Sequence, residues 1–303
     1  MRILILGQDG QVGWELKRAL APLGEVIAMS RTRNNGFCGD LQNQQGLEDT
    51  VHLLKPTVIV NAAAYTAVDQ AEQDQKLAHI VNAEGPTLLA NIARELGALL
   101  VHYSTDYVFN GEGDQPWQET DQTAPINFYG ASKLAGEQGI VQSGCQHMIF
   151  RTSWVYAARR NNFLLTMARL MKEQSQLNIV NDQMGAPTSA ELIADVTAHA
   201  LKAWQNGTHQ NGIHHLAASG ETSWQGYAHF ICDTLISLGV NLKITPDAIH
   251  GINTQNYPTP AKRPLNSRLN TDKLRDTFDL TLPHWKEGVR KVLTEYAANQ
   301  ETL

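Results

Sequence analysis

The chain opens with a short apolar run, Arg2–Leu6, stopped at once by Gly7-Gln-Asp-Gly10-Gln-Val-Gly13 and followed by Trp14-Glu-Leu-Lys-Arg-Ala-Leu-Ala. A run of that length bounded by turn residues reads as a buried strand, and the stretch after the glycines has the spacing of an amphipathic helix. Strand, glycine turn and helix open a βα unit. The Gly-x-x-Gly-x-x-Gly spacing suits a nucleotide. Its first glycine permits a tight turn, its second lets a pyrophosphate approach backbone N–H groups, and its third lets the helix pack on the sheet. The spacing alone is common; its place in the first turn of an alternating chain gives it weight.

The alternation continues. Glu25–Met29 and the runs 56–61, 97–103 and 147–156 read as strands, with helices expected over 69–81 and 85–96. This pattern predicts an α/β fold, a Rossmann-type doubly wound parallel sheet with right-handed crossovers. Beyond residue 156 the pattern loosens, with helices expected over 162–172, 189–204, 223–238 and 285–298. Residues 1–155 are therefore expected to form a dinucleotide-binding domain. Residues 156–303 are expected to be mainly a smaller C-terminal substrate-binding lobe, with some segments returning to the Rossmann domain. The proline-rich loop Tyr257-Pro-Thr-Pro-Ala-Lys-Arg263-Pro cannot be regular structure.

Groups able to move a proton are concentrated between residues 103 and 133. Tyr129 and Lys133 lie four apart, about 6 Å along a helix axis and on one face, so the ammonium can approach the phenol. A free phenol has a pKa near ~10, and a neighbouring cation favours the phenolate. The strand ending in Ser104, Thr105 and Asp106 would deliver Thr105 to the same place, because ligands collect beyond the carboxyl ends of parallel strands. Tyr-x-x-x-Lys alone matches many helices; the glycine fingerprint and the hydroxyl-bearing strand end set this one apart.

At the end of the second strand a fold that prefers NAD would carry an acidic residue for the ribose hydroxyl. Here the residues are Ser30, Arg31, Thr32 and Arg33, which favour a 2′-phosphate. Asp40, followed by Leu41, is placed either to accept from the adenine amino group or to cap the next helix. Arg263 is either a clamp for a substrate phosphate or an exposed arginine.

The net charge of −6 gives no basic footprint for nucleic acid or an anionic membrane. No apolar run approaches a signal peptide or a membrane span, so the expected location is the cytoplasm. Cys38, Cys145 and Cys232 are few, odd in number and widely spaced, which argues against a disulfide framework or a cysteine zinc site. His214 and His215 fall in an apparent strand, where neighbours face opposite ways, and read as structural.

These features resemble the extended short-chain dehydrogenase/reductase family. The resemblance is carried by Gly10-Gln-Val-Gly-Trp-Glu-Leu, Asn61-Ala-Ala-Ala-Tyr-Thr-Ala-Val-Asp, Ser104-Thr-Asp-Tyr-Val-Phe and Tyr129-x-x-x-Lys133. Arg151-Thr-Ser-Trp-Val-Tyr, Asn181-Asp-Gln-Met-Gly-Ala-Pro-Thr and Arg263-Pro-Leu-Asn-Ser-Arg-Leu extend it along the chain. It implies an oxidoreductase acting on a dTDP-linked 4-keto-6-deoxysugar, with hydride from NADPH or NADH. Tyr129 would give a proton to the C4 oxygen, Lys133 would hold the nicotinamide ribose, and Thr105 would position the carbonyl. Asp106, Trp154, Asn181 and Arg263 would meet the substrate. Gly7, Gly10, Gln11, Val12, Gly13, Asp40, Leu41, Ala64, Tyr65, Thr66 and Tyr103 would line the coenzyme. The resemblance also implies a homodimer with Mg²⁺ held between subunits by Glu15, Glu191 and Glu295, although helical glutamates are ordinarily solvated surface.

Two other functions share these features. A nucleotide-sugar dehydratase typically shows Thr-Asp-Glu after the strand, where this chain has Thr105-Asp106-Tyr107. A non-catalytic coenzyme-binding subunit, like the regulatory subunit of methionine adenosyltransferase, need not keep Thr105, Tyr129 and Lys133 together.

Overall fold

A computed structural model of the chain describes residues 1–32, 36–207 and 210–300. Six parallel strands form the central sheet, in the spatial order Gly212–His215, Gln146–Thr152, Leu99–Thr105, Val58–Asn61, Arg2–Leu6, Glu25–Met29. The strand order reverses at Arg2–Leu6, since the chain adds Glu25–Met29 on one side and Val58–Asn61 on the other. This is a topological switch point, where a parallel sheet leaves a crevice beyond its strand ends.

The central strands are buried almost throughout because both faces are covered. Ile3, Ile5, Val58, Val60, Leu99 and Val101 pack with Leu16 and Leu20 of helix Gln11–Leu20 and with Ile193 and Ala200 of helix Ala190–Gln205. Leu4, Leu6, Ile59 and Leu100 face the other way, onto helices Gln44–Leu54, Gly85–Leu96 and Phe128–Ser143. A third core joins helices Phe163–Glu173, Trp224–Ser237 and Trp285–Gln300 through Leu164, Met171, Tyr227, Ile231, Trp285 and Val289.

Three segments depart from the sequence expectation. The expected strand 147–156 is broken: Gln146–Thr152 ends before Trp154, whose φ of 48° lies in the left-handed region, and the chain resumes as Val155–Tyr156. The expected helix 69–81 is divided into Val68–Ala71, Gln75–His79 and a wider π turn, Ile80–Glu84, running into Gly85–Leu96. That turn presents the buried Asn82, whose amide accepts from Tyr65 N at 2.8 Å and donates to Tyr65 O and Ser132 Oγ, each at 3.0 Å. It thereby fastens the loop after Val58–Asn61 to helix Phe128–Ser143. Helix Asp272–Phe278 was not expected; it packs Leu274 and Phe278 into the same core as helix Ala190–Gln205.

Candidate active site

The loops leaving the sheet at the switch point build one groove. Gly7 has φ +84°, and a Cβ there would lie 2.7 Å from Ala63 N and 2.8 Å from Ala62 O. Only glycine fits. A Cβ on Gly13 would lie 2.1 Å from Gly7 O, so this glycine serves helix packing and does not line the groove. Helix Gln11–Leu20 begins after Gly10 with no side chain capping its first amides. Such amides are free for an anion.

One cavity of about 440 Å³ is lined by Gly7, Gly10, Ser30, Arg31, Asp40, Leu41, Ala64 and Tyr65. A second, of about 370 Å³, is lined by Gln11, Val12, Thr66, Tyr103, Tyr129 and Lys133. They share Gly10, Ala62, Ala64 and Arg160 and so form two halves of one groove, each in the size range of small-molecule sites, roughly 300 to 1,000 Å³. Arg33 lies outside the described residues.

Tyr129 sits in the first turn of helix Phe128–Ser143, which is capped by Asn127 accepting from Gly130 N at 2.8 Å. The expected lowering of its pKa by Lys133 is not found. Burial pushes the phenol up to about 12, the neighbouring Asp106 carboxyl adds to the rise, and the Thr105 hydroxyl opposes it. Lys133 Nζ is engaged elsewhere, donating to Tyr103 O at 2.6 Å and lying 3.1 Å from His102 Nε2. Burial brings this ammonium down to about 8, against the favourable charge of Glu137. Thr105 Oγ1 donates to Asp106 Oδ1 at 3.1 Å. Burial raises Asp106 to about 7 against the pull of the Ser267 and Thr105 hydroxyls, and its Oδ2 has no hydrogen-bond partner. The phenol is therefore protonated at neutral pH, which suits a proton donor, and Thr105 lies between it and a carboxyl that titrates near neutrality.

A third cavity, of about 450 Å³, adjoins this centre: Tyr107 lines it and meets the Tyr129 ring edge-on, centroids 5.7 Å apart. Phe163, Thr166, Met167 and Leu170 form one wall, and Asn178, Val180, Gln183, Trp224, Tyr257 and Arg263 lie around them. Arg263 lines it and is paired with Asp69, 2.7 Å from Nη2 to Oδ2. Two residues expected to meet the substrate do not line this cavity. Trp154 stacks behind Trp224, centroids 3.7 Å apart, and Trp224 faces the cavity. Asn181 lies just past the lining strand Leu177–Val180, its N–H bonded to Ile252 O, and does not line the cavity.

Within the single chain Glu15 and Glu191 lie beside cations. Arg18 lies 3.4 Å from Glu15 and 3.8 Å from Glu191, and Lys291 Nζ bonds Glu191 Oε1. Among the described residues no group of three or more His, Cys, Asp or Glu side chains could hold a metal ion.

The parallel sheet, the glycine turn at its switch point and the Tyr129/Lys133 pair define an oxidoreductase that uses a nicotinamide dinucleotide. The chain belongs to the family described as RmlD substrate binding domain, whose model matches residues 1–298. It is 52% identical over 295 residues to dTDP-4-dehydrorhamnose reductase of Salmonella typhimurium, covering 97% of this chain and 98% of the relative. It is similar to the crystal structure of dTDP-4-dehydrorhamnose reductase from Bacillus anthracis in complex with NADP, at TM-score 0.85 and 33% identity, covering 97% of this chain and 99% of that one. A dTDP-glucose 4,6-dehydratase from Streptomyces venezuelae shares the fold, at TM-score 0.81 and 18% identity, covering 100% of this chain and 98% of that one. Fold alone therefore does not separate reduction from dehydration.

Proposed function

We infer that this chain reduces dTDP-4-dehydro-L-rhamnose to dTDP-L-rhamnose with NADPH as hydride donor. The observation that supports this most is the convergence of Tyr129 and Lys133 on the groove that Gly10, Gln11 and Val12 open, beside a cavity lined by Arg263 and its partner Asp69. When bound, the coenzyme supplies the hydride; the chain supplies binding, orientation and the proton. Tyr129 donates its phenolic proton to the C4 oxygen, and Thr105 orients that oxygen. Lys133 is positioned to exchange its bond to Tyr103 O for the nicotinamide ribose. Asp106 holds Thr105 in place. Phe163, Met167 and Trp224 offer apolar surface to the sugar nucleotide, and Arg263 would pass from Asp69 to its diphosphate.

The test is to mix the protein, NADPH and dTDP-4-dehydro-L-rhamnose and follow loss of the near-ultraviolet absorbance of NADPH. The same preparation is offered dTDP-glucose. Tyr107 stands where a dehydratase carries its carboxylate base, and burial raises that phenol, which opposes its acting as one. Rapid NADPH oxidation and no 4-keto product from dTDP-glucose are expected; the reverse pattern would refute the assignment.

Ser30 and Arg31 support a preference for NADPH over NADH, because both line the adenine-side half of the groove and neither repels a 2′-phosphate. Arg31→Ala is expected to lower the NADPH-to-NADH ratio of kcat/KM by about tenfold, the usual worth of one charge-assisted contact. An unchanged ratio would remove Arg31 from phosphate recognition.

A pH dependence follows from Lys133. Its ammonium is present below about 8 and lost as pH rises through that value. The ammonium binds the ribose, so kcat/KM for NADPH, which reports the free enzyme, is expected to fall above about pH 8. A profile level through about pH 9 would show that this charge is not needed.

No helix among the described residues is long and apolar enough to cross a membrane. We assign the enzyme to the cytoplasm, where its charged nucleotide substrates reside, and to a homodimer, which sedimentation in solution would check.

A further inference from the structure

The groove's two halves share only one residue with a charged side chain, Arg160; the others in common are Gly10, Ala62 and Ala64. Arg160 comes from the segment 157–162, which crosses over the glycine turn and is tied to it three times. Arg160 Nε donates to Asp9 O at 2.8 Å, and Asn162 Nδ2 donates to Gln11 Oε1 at 3.0 Å. The Arg159 guanidinium stacks on Trp14, 3.4 Å from the ring centroid.

The backbone of Arg160 has φ +62°, where a Cβ is strained and glycine is not. Strain of this kind persists where the surroundings over-determine it, and such positions concentrate at ligand clamps. Here it holds a guanidinium beside the uncapped amides of helix Gln11–Leu20. Its two terminal nitrogens bond no protein group among the described residues. The other cations of the groove are placed differently: Arg31 lines only the adenine-side half, and Lys133 only the half that holds Tyr129. Asp9 lines the adenine-side half alone.

A dinucleotide carries its diphosphate between its two nucleosides. In this groove the midpoint falls at the residues that both halves share. We propose that Arg160 binds the coenzyme diphosphate from the side facing the glycine turn, so that the anion is held between the helix amides and a guanidinium. This rests on the coenzyme being a nicotinamide dinucleotide.

The variant of choice is Arg160→Gly, since glycine accepts the left-handed backbone and removes only the side chain. Dissociation constants for NADPH and NADH are measured by tryptophan fluorescence at low and high salt, with the melting temperature of the coenzyme-free protein. Both coenzymes are expected to bind about tenfold more weakly at low salt, with a shallower salt dependence, while the melting temperature stays close to that of wild type. Unchanged affinity would overturn the proposal. Weaker binding of NADPH alone would also overturn it, because the side chain would then be reading the 2′-phosphate. Failure of the wild-type protein to bind either coenzyme would refute the coenzyme itself. Should the glycine variant not fold, Arg160→Gln carries the same comparison.

Discussion

Tyr129→Phe is expected to lower turnover by about 10²-fold or more while leaving NADPH binding nearly intact. The substitution removes one oxygen and keeps the ring, so the edge-on contact with Tyr107 and the wall of the groove survive. What is lost is the proton donor. The phenol, pushed up to about 12, is fully protonated at neutral pH, and Thr105 keeps its bond to Asp106 whether or not Tyr129 is present. Water would have to replace the acid at a buried position. Single-turnover rates and coenzyme dissociation constants, measured side by side, separate the two effects. Undiminished turnover would take Tyr129 out of the mechanism, and a parallel collapse of NADPH binding would make its role structural.

The parallel sheet was legible because of its burial. Strands covered on both faces read as apolar runs, and Val58–Asn61 stands out for that reason, whereas Glu25–Met29 is a partly buried edge strand that shows by its apolar Val26 to Met29. Gly212–His215 shows in the sequence only as an apparent strand around His214 and His215, because a four-residue edge strand containing two histidines has neither the length nor the composition of a core strand. His214 and His215 are buried and structural, as expected; burial takes them down to about 4 and about 3, so both stay neutral. The break at Trp154 was hidden for another reason. Left-handed backbone at a tryptophan has no composition signal, and here it is compensated by stacking on Trp224, a residue 70 positions away in sequence.

The coenzyme half of the site was easier to read than the substrate half. Gly7, Gly10, Gln11 and Val12 are consecutive or nearly so, and backbone geometry dictates the glycines. Phe163, Thr166, Met167 and Leu170 follow the i, i+3, i+4, i+7 spacing of any buried helix face, so nothing local shows that this face looks into a cavity. Arg160 carries no mark in the sequence, because what distinguishes it, a positive φ, is conformational. That Tyr129 and Lys133 reach one cavity was legible and the consequence drawn from it was not: four-residue spacing puts both on one helix face, but burial and the Tyr103 carbonyl decide where the ammonium points and which way the phenol titrates.

Glu137→Ala is expected to destabilise the fold by about 3 to 5 kcal/mol, on the order of 10 °C in Tm. Glu137 lies four residues after Lys133 and accepts from Arg151 Nε at 2.9 Å and Nη2 at 2.6 Å, with both side chains 3% exposed or less. This two-pronged bond joins helix Phe128–Ser143 to strand Gln146–Thr152 beneath the active site. Arg151 Nη1 already lacks a partner, so removing the carboxylate strands a whole guanidinium in the interior. The large cost comes from that stranded charge, since a buried ion pair contributes little net stability over apolar residues of the same size. Removing both partners, as Glu137→Leu with Arg151→Met, is therefore expected to recover most of the lost Tm. The catalytic consequence is separable. Glu137 favours the Lys133 ammonium, so in either variant the fall of kcat/KM for NADPH should begin at lower pH than in wild type. If the double variant melts as early as the single one, apolar replacement does not relieve the site; if the pH profile does not move, Glu137 does not act on Lys133.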